Sequence, residues 1–186
     1  MNAHLRILKC TVAAVFLSVM NSLPLMADEA ALDRLFDKLQ ASDVQTAEKI
    51  EQEIWALWSQ SGSATADLLL RRGRSAMADG DWKAAIEHLT ALTDYAPDFA
   101  EGWNARATAY FQAKLYGPSV SDIGRVLELN PRHFGALQGL ARILEELGYH
   151  AKALEALREV KRLHPTRANV DEAITRLERH VGETDL

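Results

Sequence analysis

Residues 134–167 read FGALQGLARILEELGYHAKALEALREVKRLHPTR, and the two stretches before them repeat their landmarks. Pro97, Pro131 and Pro165 are spaced by 34 residues, and the segments around them align as Tyr95-Ala96-Pro97, Leu129-Asn130-Pro131 and His164-Pro165. The same offset brings Leu69, Trp103 and Leu137 into register, then the small residues Gly73, Ala107 and Ala141, then Ala76, Tyr110 and Leu144. In the second half of each unit Ala85, Ser119 and Ala153 align, followed by Leu89, Ile123 and Leu157. Spacings of three and four place the large residues on one stripe of an α-helix, and the small ones let a second helix come close. Turns are signalled at Asp79-Gly80-Asp81, at Leu115-Tyr116-Gly117-Pro118 and at Leu147-Gly148. Glycine accepts the left-handed conformation that ends a helix, and Pro118 suits the first position of the next one. The three aligned prolines stop each second helix. Asp98 with Glu101, and Asn169 with Glu172, have capping-box spacing at the start of following helices.

Units of this length and pattern resemble tetratricopeptide repeats, helix–turn–helix modules with a large–small–aromatic–Ala–Pro signature. They fall at residues 66–99, 100–133 and 134–167. The second matches through Trp103, Ala107 and Tyr110; the third through Leu137, Leu140, Ala141, Gly148, Ala153 and Pro165. Arg72 and Arg106 stand where the family usually has Leu, and Leu92 where it has Ala. The resemblance implies an all-α fold, a right-handed superhelical solenoid of antiparallel helix pairs with three repeats and flanking helices.

On the C-terminal side, Val170, Ala173, Ile174 and Leu177 give residues 168–186 a helix that covers the exposed edge of the last repeat, followed by a tail. On the other side, residues 28–65 hold a helix pair, Glu29 to Leu39 and Val44 to Ser59, closed by Gly62. Ser63 or Thr65 can cap the next helix. This pair lacks the repeat pattern and is either a degenerate repeat or an N-terminal cap.

Residues 1–27 read as a secretory signal peptide. Arg6 and Lys9 precede a short apolar run, Thr11 to Met20, and Ala27 is a small residue at the expected cut before Asp28-Glu29. The run is shorter than the roughly 20 residues that span a bilayer; retention as an anchor is the alternative. Periplasmic location is the expectation, with no membrane attachment once the segment is removed. The only cysteine, Cys10, lies in that segment, so the mature chain would hold no disulfide and no zinc–thiolate site. The net charge of −5 and the lack of a basic stripe argue against nucleic acid as a partner.

Catalysis needs a constellation, and none is legible. There is no Gly-rich phosphate loop, nucleophile elbow or HExxH sequence. His88, His133, His150, His164 and His180 are scattered, and most of them read as solvated surface residues, not metal ligands. The adjacent acids Glu145-Glu146 and Asp171-Glu172 diverge by about 100° on a helix and read as solvated faces. Trp55 and Trp58, at helical spacing, read as core. No cofactor, metal or enzymatic role is expected.

The tetratricopeptide resemblance instead implies a concave groove lined by the first helix of each unit. Its positions correspond to Leu70, Arg74 and Met77, to Asn104, Thr108 and Phe111, and to Gln138, Arg142 and Glu145. Arg74, Asn104, Thr108, Phe111, Gln138 and Arg142 are the candidate peptide-binding residues. Arg forks suit carboxylates and amides suit a peptide backbone. Two alternatives stay open: Arg74 and Arg142 pair with neighbouring acids, or the protein docks into an envelope complex through its convex face or its Trp55/Trp58 end.

Overall fold

The computed structural model describes residues 23–184, so most of the segment read as a signal peptide lies outside the described residues. Among the described residues the chain is all α-helix, running α1 (Leu23–Gln40), α2 (Val44–Trp58), α3 (Ala64–Ala78), α4 (Trp82–Tyr95), α5 (Ala100–Gln112), α6 (Tyr116–Leu129), α7 (Phe134–Glu146), α8 (His150–Leu163) and α9 (Val170–Thr184). Helix α1 thus starts ahead of the expected cut after Ala27.

The repeat is visible in the backbone itself. Positive φ angles recur at Gly80 (75°), Lys114 (62°) and Gly148 (78°), one per unit and 34 residues apart. At each, two bonds close the same helix end: Gly80 N–H to Met77 O with Asp81 N–H to Ala76 O, Lys114 N–H to Phe111 O with Leu115 N–H to Tyr110 O, and Gly148 N–H to Glu145 O with Tyr149 N–H to Leu144 O. These are Schellman caps, which satisfy the last carbonyls of a helix. The second turn corrects the sequence expectation. Lys114, not Gly117, takes the left-handed position, while Gly117 and Pro118 lie inside the first turn of α6. Pro118 is tolerated there because the first N–H groups of a helix have no intrahelical partner.

Between units, Ala96, Asn130 and His164 donate their N–H groups to Leu92, Val126 and Val160. Of the expected starts, Ser63 caps α3 by accepting from Ala66 N–H. The Asp98–Glu101 box does not form: Phe99 is the N-cap of α5 without a side-chain bond, and Asp98 pairs with Arg125. Asn169 has φ 63°, outside the extended range of an N-cap residue.

Packing follows the register. Gly73 lies against Leu89, where a Cβ would come within 2.5 Å of that side chain. In the next unit the small pair is Ala107 and Ser119, tied by the Ser119 hydroxyl donating to Ala107 O at 2.8 Å. Arg106, at a position expected to hold Leu, turns sideways and donates twice to Asp122, at 2.7 and 2.8 Å. Both are mostly buried, and the guanidinium also reaches the Thr93 hydroxyl.

The N-terminal pair does not lengthen the stack ahead of α3. Leu35, Phe36 and Leu39 of α1, with Ile50, Ile54 and Trp58 of α2, share one core with Phe134, Leu137, Val160, Leu163 and Val170. No α3 side chain joins that core. Full burial of a ring such as Phe134 contributes about 2–3 kcal/mol, so the pair is anchored to the third unit across roughly a hundred residues of sequence. Gln40 bonds the carbonyls of Arg162 and Leu163, and Arg132 pairs with Asp33.

Candidate functional site

The first helices of the second and third units, α5 and α7, form the walls of a cleft of about 710 Å³. Arg176 and Ala173 of α9 close one side, and Trp55 of α2 reaches in from another. Trp55 has room because its neighbour on α7 is Gly135; a Cβ there would sit 2.7 Å from the indole. Small residues form the floor, among them Ala107, Ala136 and Gly139.

Five of the six candidate residues come together here: Asn104, Thr108 and Phe111 on α5, with Gln138 and Arg142 on α7. Arg74 is not among the lining residues. Its guanidinium donates to Glu101 at 2.6 Å and to the Ser59 hydroxyl at 3.1 Å. Of the further groove positions, Leu70 is core, Met77 packs beside it, and Glu145 lines the cleft under a two-pronged contact from Arg176 at 2.8 and 2.9 Å.

Glu101 organises the α5 wall. Although only 3% exposed, it is compensated by three donors: Arg74 of α3, Asn104 Nδ2 of α5 at 3.0 Å, and His133 Nε2, from the N-cap of α7, at 3.2 Å. His133 Nδ1 accepts from Ala136 N–H, so the ring proton lies on Nε2 and is donated to Glu101. Trp58 stacks flat on this imidazole at 4.3 Å. A buried charge is tolerated only with such pairing.

A second network organises the α7 wall. Arg167 donates to Gln138 Oε1 at 2.7 Å and to Glu51 at 2.6 Å. Glu51 also meets His164 Nε2 at 3.0 Å and accepts from Trp55 Nε1. Burial opposes ionisation of Glu51, but the His164 bond and the Arg167 charge outweigh it and hold the carboxyl at about 2. His133 and His164 are therefore buried structural residues, which corrects their reading as solvated; each reaches a carboxylate.

The rim is more open. Arg142 lies over the Phe111 ring at 5.2 Å, with its acidic partner Glu146 at 3.8 Å. Thr108 donates its hydroxyl to Asn104 O. Among the described residues there is no grouping of three His, Cys, Asp or Glu able to hold a metal, and no helix is long and apolar enough to cross a membrane.

Glu101, Arg167 and Arg176 were not expected at the site. Glu101 aligns with the acid Asp67 and Arg176 with Arg142, so the register carried a signal for those two, whereas Arg167 aligns with His133 and Phe99 and has none. Only the fold brings Arg167 beside Gln138.

Comparison with known proteins fits this architecture. The tetratricopeptide repeat family model matches residues 70–117 and 119–168. A TPR repeat-containing protein of Rhizobium etli is 38% identical over 147 residues, covering 78% of this chain and 72% of the relative. The human protein SGT1 homolog is 31% identical over 105 residues, 55% of this chain but only 28% of that protein. Among solved structures, the first TPR of Spaghetti (RPAP3), bound to the HSP90 peptide SRMEEVD, superposes with TM-score 0.62 at 22% identity, over 64% of this chain and 95% of that one. MamA superposes with TM-score 0.61 at 20% identity, over 77% and 88%. With the family model and a relative of similar length in agreement with the helix register, the chain belongs to the tetratricopeptide repeat family.

Proposed function

We propose that the protein is a non-catalytic interaction module of the periplasm that holds an extended segment of a partner protein in the cleft between α5 and α7. The observation that carries this reading is the cleft itself. It has a small-residue floor, an open aromatic–cation pair in Phe111 and Arg142, and polar groups from two adjacent units. The peptide in the RPAP3 complex supports the class of ligand. Docking through the Trp55/Trp58 end has less to offer a partner, since Trp58 is buried and Trp55 packs on His133 and Phe134.

The test is site-directed photocrosslinking in cells. A crosslinker at Thr108 or Arg142 should capture a partner segment that one at Glu155, on the outer helix α8, does not. Arg142→Glu with Phe111→Ala should remove the capture. Crosslinks from Glu155 alone would transfer the function to the convex face. Export is tested separately by sequencing the mature N-terminus. Asp28 there supports the periplasm and leaves Leu35, Phe36 and Leu39 of α1 in place; Met1 contradicts it.

A further inference from the structure

Asn104 and Gln138 hold the same position in successive units and face the same cleft from opposite walls. Each side-chain amide has one end committed to a charged residue that permits one orientation only. Glu101 is an acceptor, so the group of Asn104 facing it is the NH₂, which leaves Oδ1 outward. Arg167 is a donor, so the group of Gln138 facing it is the oxygen, which leaves Nε2 outward. Among the described residues no group of the chain bonds either outward atom. The buried charges behind them settle which way each amide points, a choice otherwise open for Asn and Gln.

The α5 wall therefore presents an acceptor and the α7 wall a donor. Thr108 and Arg142 add to the same polarity: the Thr108 proton is spent on Asn104 O, leaving its oxygen as an acceptor, and Arg142 offers only donors. In a planar trans peptide group the N–H and C=O point in opposite directions. We propose that the cleft reads one main-chain peptide group laid across it, with its N–H to Asn104 and its C=O to Gln138. Glu101 and Arg167 act as positioning residues that fix this polarity. The inference rests on the peptide-binding reading above and adds to it a ligand requirement: a secondary amide at one defined position, whatever the side chains around it. A proline or N-methylated residue there lacks the proton and is rejected.

The experiment uses a linear peptide selected on the purified chain from a displayed random library, then resynthesised with each backbone nitrogen methylated in turn. One methylation should weaken binding to the unmodified protein by about tenfold or more, the loss of one buried hydrogen bond. The same methylation should cost less than about twofold in Asn104→Ala, whose acceptor is already gone. Gln138→Met should weaken the unmethylated peptide and leave that methylation effect in place; circular dichroism establishes that both variants are folded. If no methylation is coupled to Asn104, or if Gln138→Met binds as well as the unmodified protein, the polarised pair is refuted while peptide binding stands. If no library peptide binds competitively with a crosslinker at Thr108, the peptide-binding reading fails and takes this inference with it.

Discussion

The chain fills one repeat position in two ways, and this gives a test with an internal standard. Arg106 and Asp122 in the second unit correspond to Leu140 and Ala156 in the third. The ion pair has side chains 13% and 6% exposed and a shortest contact of 2.7 Å. The Asp122 bond raises the pKa of Arg106 above the usual arginine value. Removing one partner leaves the other charge nearly dry, which costs about 3 kcal/mol. Arg106→Leu and Asp122→Ala should each be destabilising by that order, with Asp122→Ala the milder because Arg106 keeps the Thr93 hydroxyl and the Trp103 ring. The double change copies the third unit's apolar solution and removes both desolvation costs together. Its stability should lie within about 1 kcal/mol of the parent, a coupling of roughly 4–5 kcal/mol against the sum of the singles. Urea denaturation measures this: with a slope near 2 kcal/mol/M, single variants should lose about 1.5 M in midpoint and the double less than about 0.5 M. A double variant as weak as the two singles combined would show that the second unit relies on the ion pair itself, and that the two positions are not interchangeable.

Two further predictions concern the N-terminal pair and the turns. Glu51 has a carboxyl held at about 2 in the folded chain against an ordinary 4.5, so its contribution is fully present above about pH 5 and lost as pH falls toward 2. The stability of the parent should drop across that window by an amount on the order of 2 kcal/mol, about 1 M in urea midpoint, and Glu51→Gln should show a visibly shallower drop. Equal slopes in the two proteins would contradict the assignment. Lys114 carries a left-handed backbone that Gly80 and Gly148 adopt freely, and its exposed side chain makes only loose contacts, at 3.8 Å with Glu146 and at 5.7 and 5.9 Å over the Phe111 and Tyr116 rings. Lys114→Gly should raise stability by about 0.5–1 kcal/mol and Gly148→Lys lower it by about 1 kcal/mol, both read from thermal melts. A shift of the same sign in both would overturn the turn assignment.

The contrast between these positions explains what the sequence disclosed. Periodic features were legible because each is dictated by local packing and occurs three times: the prolines, the small residues at Gly73, Ala107 and Ala141, and the stripes. Features made by one copy were not. The turn at Lys114 was misplaced to Gly117 because residue type signals conformation only when the chain takes the cheapest residue, and here it does not. The family resemblance, read through the repeat register, placed five residues on the cleft, while Arg74 was drawn off by Glu101, an interaction between units that no single-unit pattern encodes. His133 and His164 were misjudged for the same reason, since what buries them is α2, brought back from more than seventy residues upstream.

That long-range docking also shapes the site. A three-unit array alone would offer a groove running past α3, α5 and α7. Here Trp58 covers His133, and Trp55 fills the space left by Gly135. The α3 end of the groove is occupied as well, with Arg74 tied to Ser59 at the end of α2. What remains open is the stretch bounded by Trp55 and by the Arg176–Glu145 contact, which Asn104 and Gln138 both line. The elements outside the repeats therefore determine which part of a common fold is available to a ligand. Through Glu51, which holds Arg167 against Gln138, they also bear on which end of the Gln138 amide meets it.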